Sequence, residues 1–495
     1  MNVAIAGFGV EGRANLEFFA REFPSAEFWV FDENPRFVLD DFRTIFPELF
    51  AKNRLRFGGD FAKFSDADFR EKFDLILRSP SVAPRKISRK SLRKNGEISS
   101  ATNYFFAKCA EKNVPIIGVT GSKGKGTTCS FIAGILREEF AHDNQKMREN
   151  IATNSPENLA DFREKKVFLV GNIGVPALSK LREITENDVV IYELSSFQLW
   201  DIKRSPNVGI FTILEPDHLD VHADFSDYMN AKLNIFRFQN AQDFAIFPAD
   251  ADANFAKNLR EIFAGTGAKT ATFPDENLRE LSRNNLPGEH NIRNAEAAIL
   301  AARALFPDTT DAEIRAGLTS FSGLDHRLKF VREIGGVKFY DDSIATTPGS
   351  VLAAIKSFSE QKIFILGGHE KGGDLAELAD EIRENASVKK VFLIGESREK
   401  FAKIFRENFS KNGKNSDEIF AKKVEIIDTS LREKAFRETR NSAGNFDEII
   451  QKVFAKSAPG DVVILSPAAA SFDMFTSYSD RGERFAESLE KLAKE

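Results

Sequence analysis

The sequence predicts an α/β protein of three consecutive units, built from parallel sheets with crossover helices. Three observations carry that prediction. Short β-branched or apolar runs alternate with longer amphipathic stretches from end to end. Two glycine-rich turns each follow a strand-like run and open a helix-like one. The strand-and-helix pattern then restarts after residue 323. Boundaries are expected near residues 113 and 323, giving units over 1–113, 114–322 and 323–495. Lys112 and Asn113 precede a fresh strand, and Ser322-Gly323 follows an amphipathic helix.

In the first unit NVAIAGFG, EFWVFD and FDLILRSP read as strands, with a helix over Asn15 to Glu22. Gly7, Gly9 and Gly12, with Val10 and Glu11 between them, form G-x-G-x-x-G directly after the first strand. Asp32 ends the second strand twenty residues later. This is the fingerprint of a Rossmann-like unit, in which glycines permit a tight turn and a phosphate sits over a helix N-terminus. The turn suits NAD, another diphosphate, or only a packing contact.

In the second unit PIIGVTGSKGKGTT sets Gly121, Ser122, Gly124, Lys125, Gly126, Thr127 and Thr128 between a buried-type strand and a helix over Thr127 to Phe140. Backbone N–H groups in such a loop cradle triphosphate oxygens, Lys125 can bridge phosphates, and a hydroxyl can approach Mg²⁺. Because Gly126 follows Lys125, that hydroxyl must come from Thr127. The polar stretch 141–166 reads as a solvated insertion or loop. The strands VFLV, DVVIYELSS and VGIFTIL are followed by Asn172, by Glu193, Ser195, Ser196 and Gln198, and by Asp217, His218, Asp220 and His222. Lys232 lies fourteen residues past His218. Strand ends on one edge of a parallel sheet face one crevice, so these groups should converge on the phosphate loop. Without cysteine ligands the set suits Mg²⁺ or Mn²⁺ better than zinc. In GEHNIRNA, Asn291 and Asn294 either cap the following helix or read an adenine.

In the third unit GVKFYDDS, KIFILGG, KVFLIG, VEIID and DVVILSP read as strands of another parallel α/β, Rossmann-like sheet. LDHR supplies His326 and Arg327, and YDDSIATTPGS supplies Asp341, Asp342, Ser343, Thr346 and Thr347. Lys371 sits in a glycine-rich strand end, and SPAAASFDMFTSY carries Ser471, Phe472 and Tyr478. An Arg327–Asp342 ion pair is the purely structural alternative for those two.

Composition limits the function classes. A net charge of −5, with both signs scattered, offers no basic stripe for a nucleic acid. No run approaches 18 apolar residues, so no membrane span is expected. The first apolar run lacks a basic leader and breaks at Gly7, unlike a signal peptide. Two cysteines in 495 residues fit a reducing, cytoplasmic setting.

The ordered set GFGVEGR, GVTGSKGKGTT, GNIG, YELSSFQL, PDHLD, GEHNIRNA, LDHR, YDDSIATTPGS, GGHEKGGD and SPAAASFD resembles the Mur ligase family over essentially the whole chain. That resemblance implies a three-domain, monomeric amide ligase that uses ATP and two Mg²⁺ ions, with UDP-MurNAc-L-alanine and D-glutamate as substrates and an acyl phosphate as intermediate. Its first domain is Rossmann-like and binds the UDP end, its central domain is a P-loop ATPase-type sheet, and its C-terminal domain takes the amino acid. By the same resemblance Lys125, Glu193, His218 and Lys232 are catalytic. Thr127, Glu193, His218 and a carbamylated Lys232 serve the metals. Gly121, Ser122, Gly124, Lys125, Gly126, Thr127, Thr128, Asn291, Asn294, Arg327 and Asp342 hold ATP. Gly7, Gly9, Val10, Glu11, Gly12, Asp32, Ser79, Asn172, Ser195 and Gln198 hold the UDP-substrate. Thr346, Lys371, Ser471, Phe472 and Tyr478 grip D-glutamate. Ile344 stands where many relatives carry Lys. A ligase for another amino acid, an inactive nucleotide-binding protein and a dinucleotide oxidoreductase are the alternatives. Against the last, a dehydrogenase has no use for a triphosphate loop.

Overall fold

The alternating runs form strands in three sheets. The computed structural model describes residues 1–33, 42–60, 72–154, 162–173, 175–219, 221–369, 374–411, 416–430, 433–434 and 446–494. The first sheet contains β1 (Asn2–Ala6), β2 (Glu27–Phe31), β3 (Leu55–Gly59), β4 (Phe73–Arg78) and β5 (Leu92–Ser100), in the order β3-β2-β1-β4-β5. The second contains β6 (Ile116–Thr120), β7 (Val167–Gly171), β8 (Val189–Glu193), β9 (Val208–Phe211), β10 (Phe244–Pro248) and β11 (Lys269–Phe273), in the order β11-β10-β9-β6-β8-β7. Every strand pairing in these two sheets is parallel. In the second sheet the order reverses around β6, so the phosphate loop leaves from a topological switch point.

The first two sheets belong to one compact unit, Met1–Asn284 with His290–Phe321. They share an apolar core. Phe105 and Phe106, on the helix Ala101–Glu111, each meet the Tyr192 ring of β8 edge-on at 5.6 Å. Strands β3, β5, β10 and β11 were not among those read from periodicity. Half-exposed sequences such as LRKNGEISS in β5 carry too little apolar pattern to declare themselves.

The stretch 141–166 corrects a sequence expectation. The helix that opens at Lys125 continues to Asn154, fourteen residues past Phe140, so residues 141–154 are helix and not loop. No Gly or Pro interrupts it after Gly134, and Asn144 holds its far side by donating to the Lys165 carbonyl (3.1 Å) and accepting the Lys165 N–H (2.9 Å). Lys165 also pairs with Asp143, and Arg148 with Glu164. Residues 162–166 form no regular element, and the rest of the stretch lies outside the described residues.

The long helix crosses the helix Asp311–Ser320 backbone to backbone. A Cβ on Gly134 would stand 2.3 Å from the Gly317 carbonyl oxygen. Replacing Gly134 by Ala gains at most about 1 kcal/mol of helix propensity. Overpacking costs about 1–3 kcal/mol, and here the obstacle is rigid backbone. Gly134→Ala is therefore expected to lower the urea midpoint, and an unchanged or raised midpoint would show that the helices part freely.

The second unit, Ser322–Glu495 with Asn285–Glu289, holds the third sheet. Its strands are β12 (Lys329–Ile334), β13 (Val337–Asp341), β14 (Lys362–Gly367), β15 (Val388–Ile394), β16 (Val424–Ile426) and β17 (Val462–Leu465), ordered β12-β13-β17-β14-β15-β16. The expectation of a parallel sheet fails at one edge, where β12 and β13 form an antiparallel hairpin. Its two-residue turn is Gly335-Gly336, at φ +57° and +77°. Positive φ at both positions is what a type I′ hairpin turn requires, so the Gly-Gly pair was the available signal.

Candidate active site

Lys125 begins the helix after β6, and its ammonium turns back to donate to the carbonyls of Gly121 (2.9 Å) and Ser122 (3.0 Å). Lys232, on the helix Phe225–Arg237, donates to the same Gly121 carbonyl at 2.8 Å. Two lysine side chains thus converge on one oxygen of the phosphate loop. Lys232 is 2% exposed and lies 4.7 Å from the Tyr228 ring centre. Burial holds its amine well below the ordinary lysine range, and the Lys125 charge pushes the same way.

The loop itself is closely supported. Gly124 has φ +83°, and a Cβ there would meet Asn294 Oδ1 at 2.5 Å. The Ser122 hydroxyl donates to the Glu215 carbonyl (2.8 Å) and lies 2.9 Å from the Tyr228 hydroxyl. Gly126, Thr127 and Thr128 form the first turn of the helix, with Thr127 5% exposed. Asn291 and Asn294 are 3.4 Å apart within the helix Glu289–Leu305, which starts two residues before Asn291. Their expected role as its caps is therefore not met.

Glu193 ends β8, and its Oε1 accepts the Asn172 side-chain N–H at 2.9 Å. The sequence-predicted pair after β7 and β8 is thereby brought together. His218 follows β9 in a left-handed conformation, φ +52°, half exposed, with Nε2 3.5 Å from the Asp217 carboxylate. A non-glycine residue held there is a local cost usually met at functional positions. Asp220 lies outside the described residues. His222, by contrast, is buried. Its Nδ1 lies 3.0 Å from Asp227 and its Nε2 3.0 Å from the Ser196 hydroxyl, so it braces the turn after β8.

That turn carries Ser195 and Gln198, which are paired with each other. Ser195 Oγ caps the short helix Ser196–Leu199, and Gln198 Oε1 accepts the Ser195 N–H at 3.0 Å. Gln198 Nε2 reaches Glu11 Oε2 at 3.4 Å. In the first glycine-rich loop, Gly7 (φ +90°) offers its carbonyl to the Ser79 hydroxyl at 2.8 Å. A Cβ on Gly12 would strike that carbonyl at 2.1 Å. Gly9 caps the helix Val10–Glu22 and has open space where a Cβ would stand; Val10 is exposed. Asp32 accepts the Phe8 N–H at 2.8 Å and so ties the loop to the end of β2.

In the second unit Asp342 follows β13, its carboxylate accepting from Ser466 Oγ (2.7 Å) and the Leu328 N–H (3.1 Å). Burial pushes its pKa up to about 7, against those bonds and the charge of Arg327. Among the described residues no ion pair joins Arg327 to Asp342, so the structural alternative for that pair fails; Arg327 is exposed. Thr346 is half-buried, Ser471 buried, and Phe472 and Tyr478 exposed. Lys371 lies outside the described residues, but the strand end leading to it is held beside Ala470 by paired backbone bonds from His369.

Sequence reasoning missed Arg481. It is fully buried on the helix Tyr478–Leu492 and donates to Ser343 Oγ (2.9 Å), the Ser343 carbonyl (2.8 Å) and the carbonyls of Ala469 and Ala470 (both 3.1 Å). One guanidinium thus ties the turn bearing Asp342 to the turn bearing Ser471. Burial lowers its pKa to about 10, still far above neutrality. The signal that could have found it is Gly482 inside a helix: a Cβ there would meet His326 Nδ1 at 2.1 Å.

Among the described residues no three His, Cys, Asp or Glu side chains cluster to hold a metal alone. Glu193, His218 and the Thr127 hydroxyl are a sparse set. It fits Mg²⁺, which keeps water and substrate phosphate as most of its ligands, and does not fit a structural zinc. Among the described residues no helix is long and apolar enough to cross a membrane.

Known proteins match this arrangement. The Mur ligase middle domain matches residues 119–302, and the Mur ligase glutamate ligase domain residues 326–469. A UDP-N-acetylmuramoylalanine–D-glutamate ligase of Acetivibrio thermocellus is 35% identical over 448 residues, covering 85% of this chain and 83% of that one. One from Clostridium novyi is 29% identical over 507 residues, covering 99% and 96%. The crystal structure of a MurF ligase from Thermotoga maritima in complex with ADP shares the fold, with a TM-score of 0.53 at 16% identity, over 94% of this chain and 96% of that one. The phosphate loop, the strand-end residues around it and these matches together place the chain in the Mur ligase family.

Proposed function

We propose that this chain is an ATP-dependent amide ligase that joins D-glutamate to UDP-N-acetylmuramoyl-L-alanine in peptidoglycan precursor synthesis. The observation that carries the ATP chemistry is the convergence of Lys125 and Lys232 on the Gly121 carbonyl. The amino acid follows from the relatives named for D-glutamate addition.

The reaction has one dominant electrostatic problem. A substrate carboxylate must approach the γ-phosphate of ATP, and anion repels anion. Its oxygen attacks the γ-phosphorus, the bond to the β-phosphate oxygen breaks, and acyl phosphate and ADP form. The amine of D-glutamate then adds to the acyl carbon, loses a proton, and phosphate leaves. Lys125 supplies a fixed positive charge at the phosphates. Gly121, Ser122, Gly124, Gly126, Thr127, Thr128, Asn291 and Asn294 seat the nucleotide. Thr127, Glu193 and His218 would hold Mg²⁺, which would supply neutralisation of the phosphate charge. A buried lysine amine that is readily neutral can take up CO2, and the resulting carbamate on Lys232 would present an anionic oxygen to the metal.

Asn172, Ser195, Gln198 and Ser79, with the loop from Gly7 to Gly12 and Asp32, are assigned to the UDP-substrate. Several act through one another, as Ser79 does on Gly7 and Gln198 on Ser195. In the second unit Arg327 and Asp342 are assigned to nucleotide. Thr346, Lys371, Ser471, Phe472 and Tyr478 are assigned to the amino acid, with Lys371 as charge partner for its side-chain carboxylate.

Phosphate release with ATP, Mg²⁺ and UDP-MurNAc-L-alanine tests the reading, offering D-glutamate, L-glutamate, L-alanine, L-lysine or meso-diaminopimelate in turn. Release and amide product with D-glutamate alone is the expected result. Turnover with another amino acid instead would overturn the substrate assignment, and ATP binding without turnover would overturn the activity.

A further inference from the structure

We propose that Arg78 is a positioning residue for the UDP-substrate. It pins the turn that carries Ser79 to the turn that carries Ser195 and Gln198, so that two halves of that substrate's site are held in register before it binds. This rests on the reading that those residues hold UDP-MurNAc-L-alanine.

Arg78 ends β4 and is completely buried, an uncommon place for a guanidinium. Its Nε and Nη2 grip the two oxygens of Asp201 at 3.1 and 2.5 Å, and Nη2 also donates to the Phe197 carbonyl at 2.9 Å. Both partners belong to the segment after β8, 123 and 119 residues away. Nη1 faces the other way, 3.3–3.5 Å from the carbonyls of Val82, Ser79 and Pro80. One planar fork thus serves two turns at once, which the single ammonium of a lysine could not do.

Each turn carries residues assigned to the substrate. Ser79, next in the chain, donates its hydroxyl to the Gly7 carbonyl at 2.8 Å, so the turn after β4 bears directly on the first glycine-rich loop. Phe197 lies between Ser195 and Gln198 in the turn after β8. Asn103 holds the Asp201 end from a third side, donating to the Asp201 carbonyl (3.0 Å) and accepting the Lys203 N–H (2.8 Å). Seven residues past Arg78, the exposed Arg85 makes a second contact of the same kind. It donates to the Val221 carbonyl at 2.7 Å and lies 5.8 Å from the Trp200 ring centre. Stability alone is a poor reason to bury such an ion pair, because an apolar pair of similar volume does as well or better. What the ion pair adds is direction: it fixes the distance and angle between two turns that no strand pairing joins.

The test is calorimetric titration of the full chain with UDP-MurNAc-L-alanine and, separately, with ATP and Mg²⁺. Combining Arg78→Met with Asp201→Asn leaves no charge buried alone. Affinity for UDP-MurNAc-L-alanine should fall about 10- to 100-fold, the scale of loss when a bound group is misplaced by about 1 Å. The KM for that substrate should rise alike, with kcat at saturation far less affected. ATP affinity and the urea midpoint read by tryptophan fluorescence should stay close to wild type, since the hydrogen bonds of Arg78 go to the two turns and not to the phosphate loop. Asp201→Asn alone keeps the shape and should shift the same affinity by less in the same direction; it decides the question if the double variant does not fold. Equal losses of UDP-substrate and ATP affinity with a lowered midpoint would mean that Arg78 only supports the fold. Unchanged UDP-substrate affinity in a folded variant would mean that the turns keep their places without it. Either result overturns the proposal, whereas failure of the wild type to bind UDP-MurNAc-L-alanine overturns the substrate reading on which it rests.

Discussion

Lys232→Ala is expected to reduce ATP-dependent amide formation by a factor on the order of 10²–10³, the usual cost of removing one electrostatic contact in a closed site. The side chain is almost completely buried against the phosphate loop, so its loss also leaves a slot the length of a lysine. The slot makes the chemical state of the residue testable. If Lys232 works as a carbamate, acetate or propionate should restore part of the activity by supplying an anionic oxygen, and ethylamine should not. Rescue by the amine instead would mean that Lys232 acts as a cation, and the carbamate would be discarded. Removing dissolved CO2 from the wild-type enzyme should lower its activity in the same direction, reversibly on adding bicarbonate. The depressed basicity of the amine makes this possible near neutrality, where an ordinary lysine stays almost wholly protonated.

Arg481→Leu carries the largest expected effect on stability. Four hydrogen bonds would vanish, leaving the carbonyls of Ala469 and Ser343 buried without this donor, while the Ala470 carbonyl keeps the His369 N–H and the Ser343 hydroxyl keeps the Tyr478 carbonyl. Each buried polar group so orphaned costs about 1–3 kcal/mol, and partial relaxation should leave a loss of about 3–5 kcal/mol in the second unit. Both tryptophans, Trp29 and Trp200, lie in the first unit, so fluorescence would miss the change. Hydrogen exchange read at β13 and β17 would detect it as lost protection. Arg481→Lys, which keeps the charge but not the fork, should fall between and raise the KM for the amino acid more than it lowers kcat. Unchanged protection in the leucine variant would show that the guanidinium is not what joins the two turns.

How much of this was readable from residues alone depends on the range of the interactions involved. The glycine loops are local: Gly7, Gly121 and Gly124 take positive φ within a few residues of the strand that precedes them. The strand ends were readable for the same reason, since a buried parallel strand such as VVIYE is a continuous apolar run that stops at its polar residue. Other features had no local mark. Residues 141–154 looked like loop because their helix shows little amphipathic pattern, and contacts to 164 and 165 hold its tail. The β12–β13 hairpin was hidden by treating the restart at Val337 as another parallel strand.

By itself, the sequence determined the α/β class, both glycine-rich strand-to-helix loops and the family, because spacing, turn chemistry and period are properties of neighbouring residues. Only the tertiary structure decided which of those groups meet. Lys232 reaches a carbonyl 111 residues away, and Arg481 reaches Ser343 across 138. Glu11 meets Gln198 across 187 and keeps one oxygen bare. Such meetings depend on how sheets and helices pack, and packing also sets the burial that moves an amine or a carboxyl away from its ordinary proton affinity.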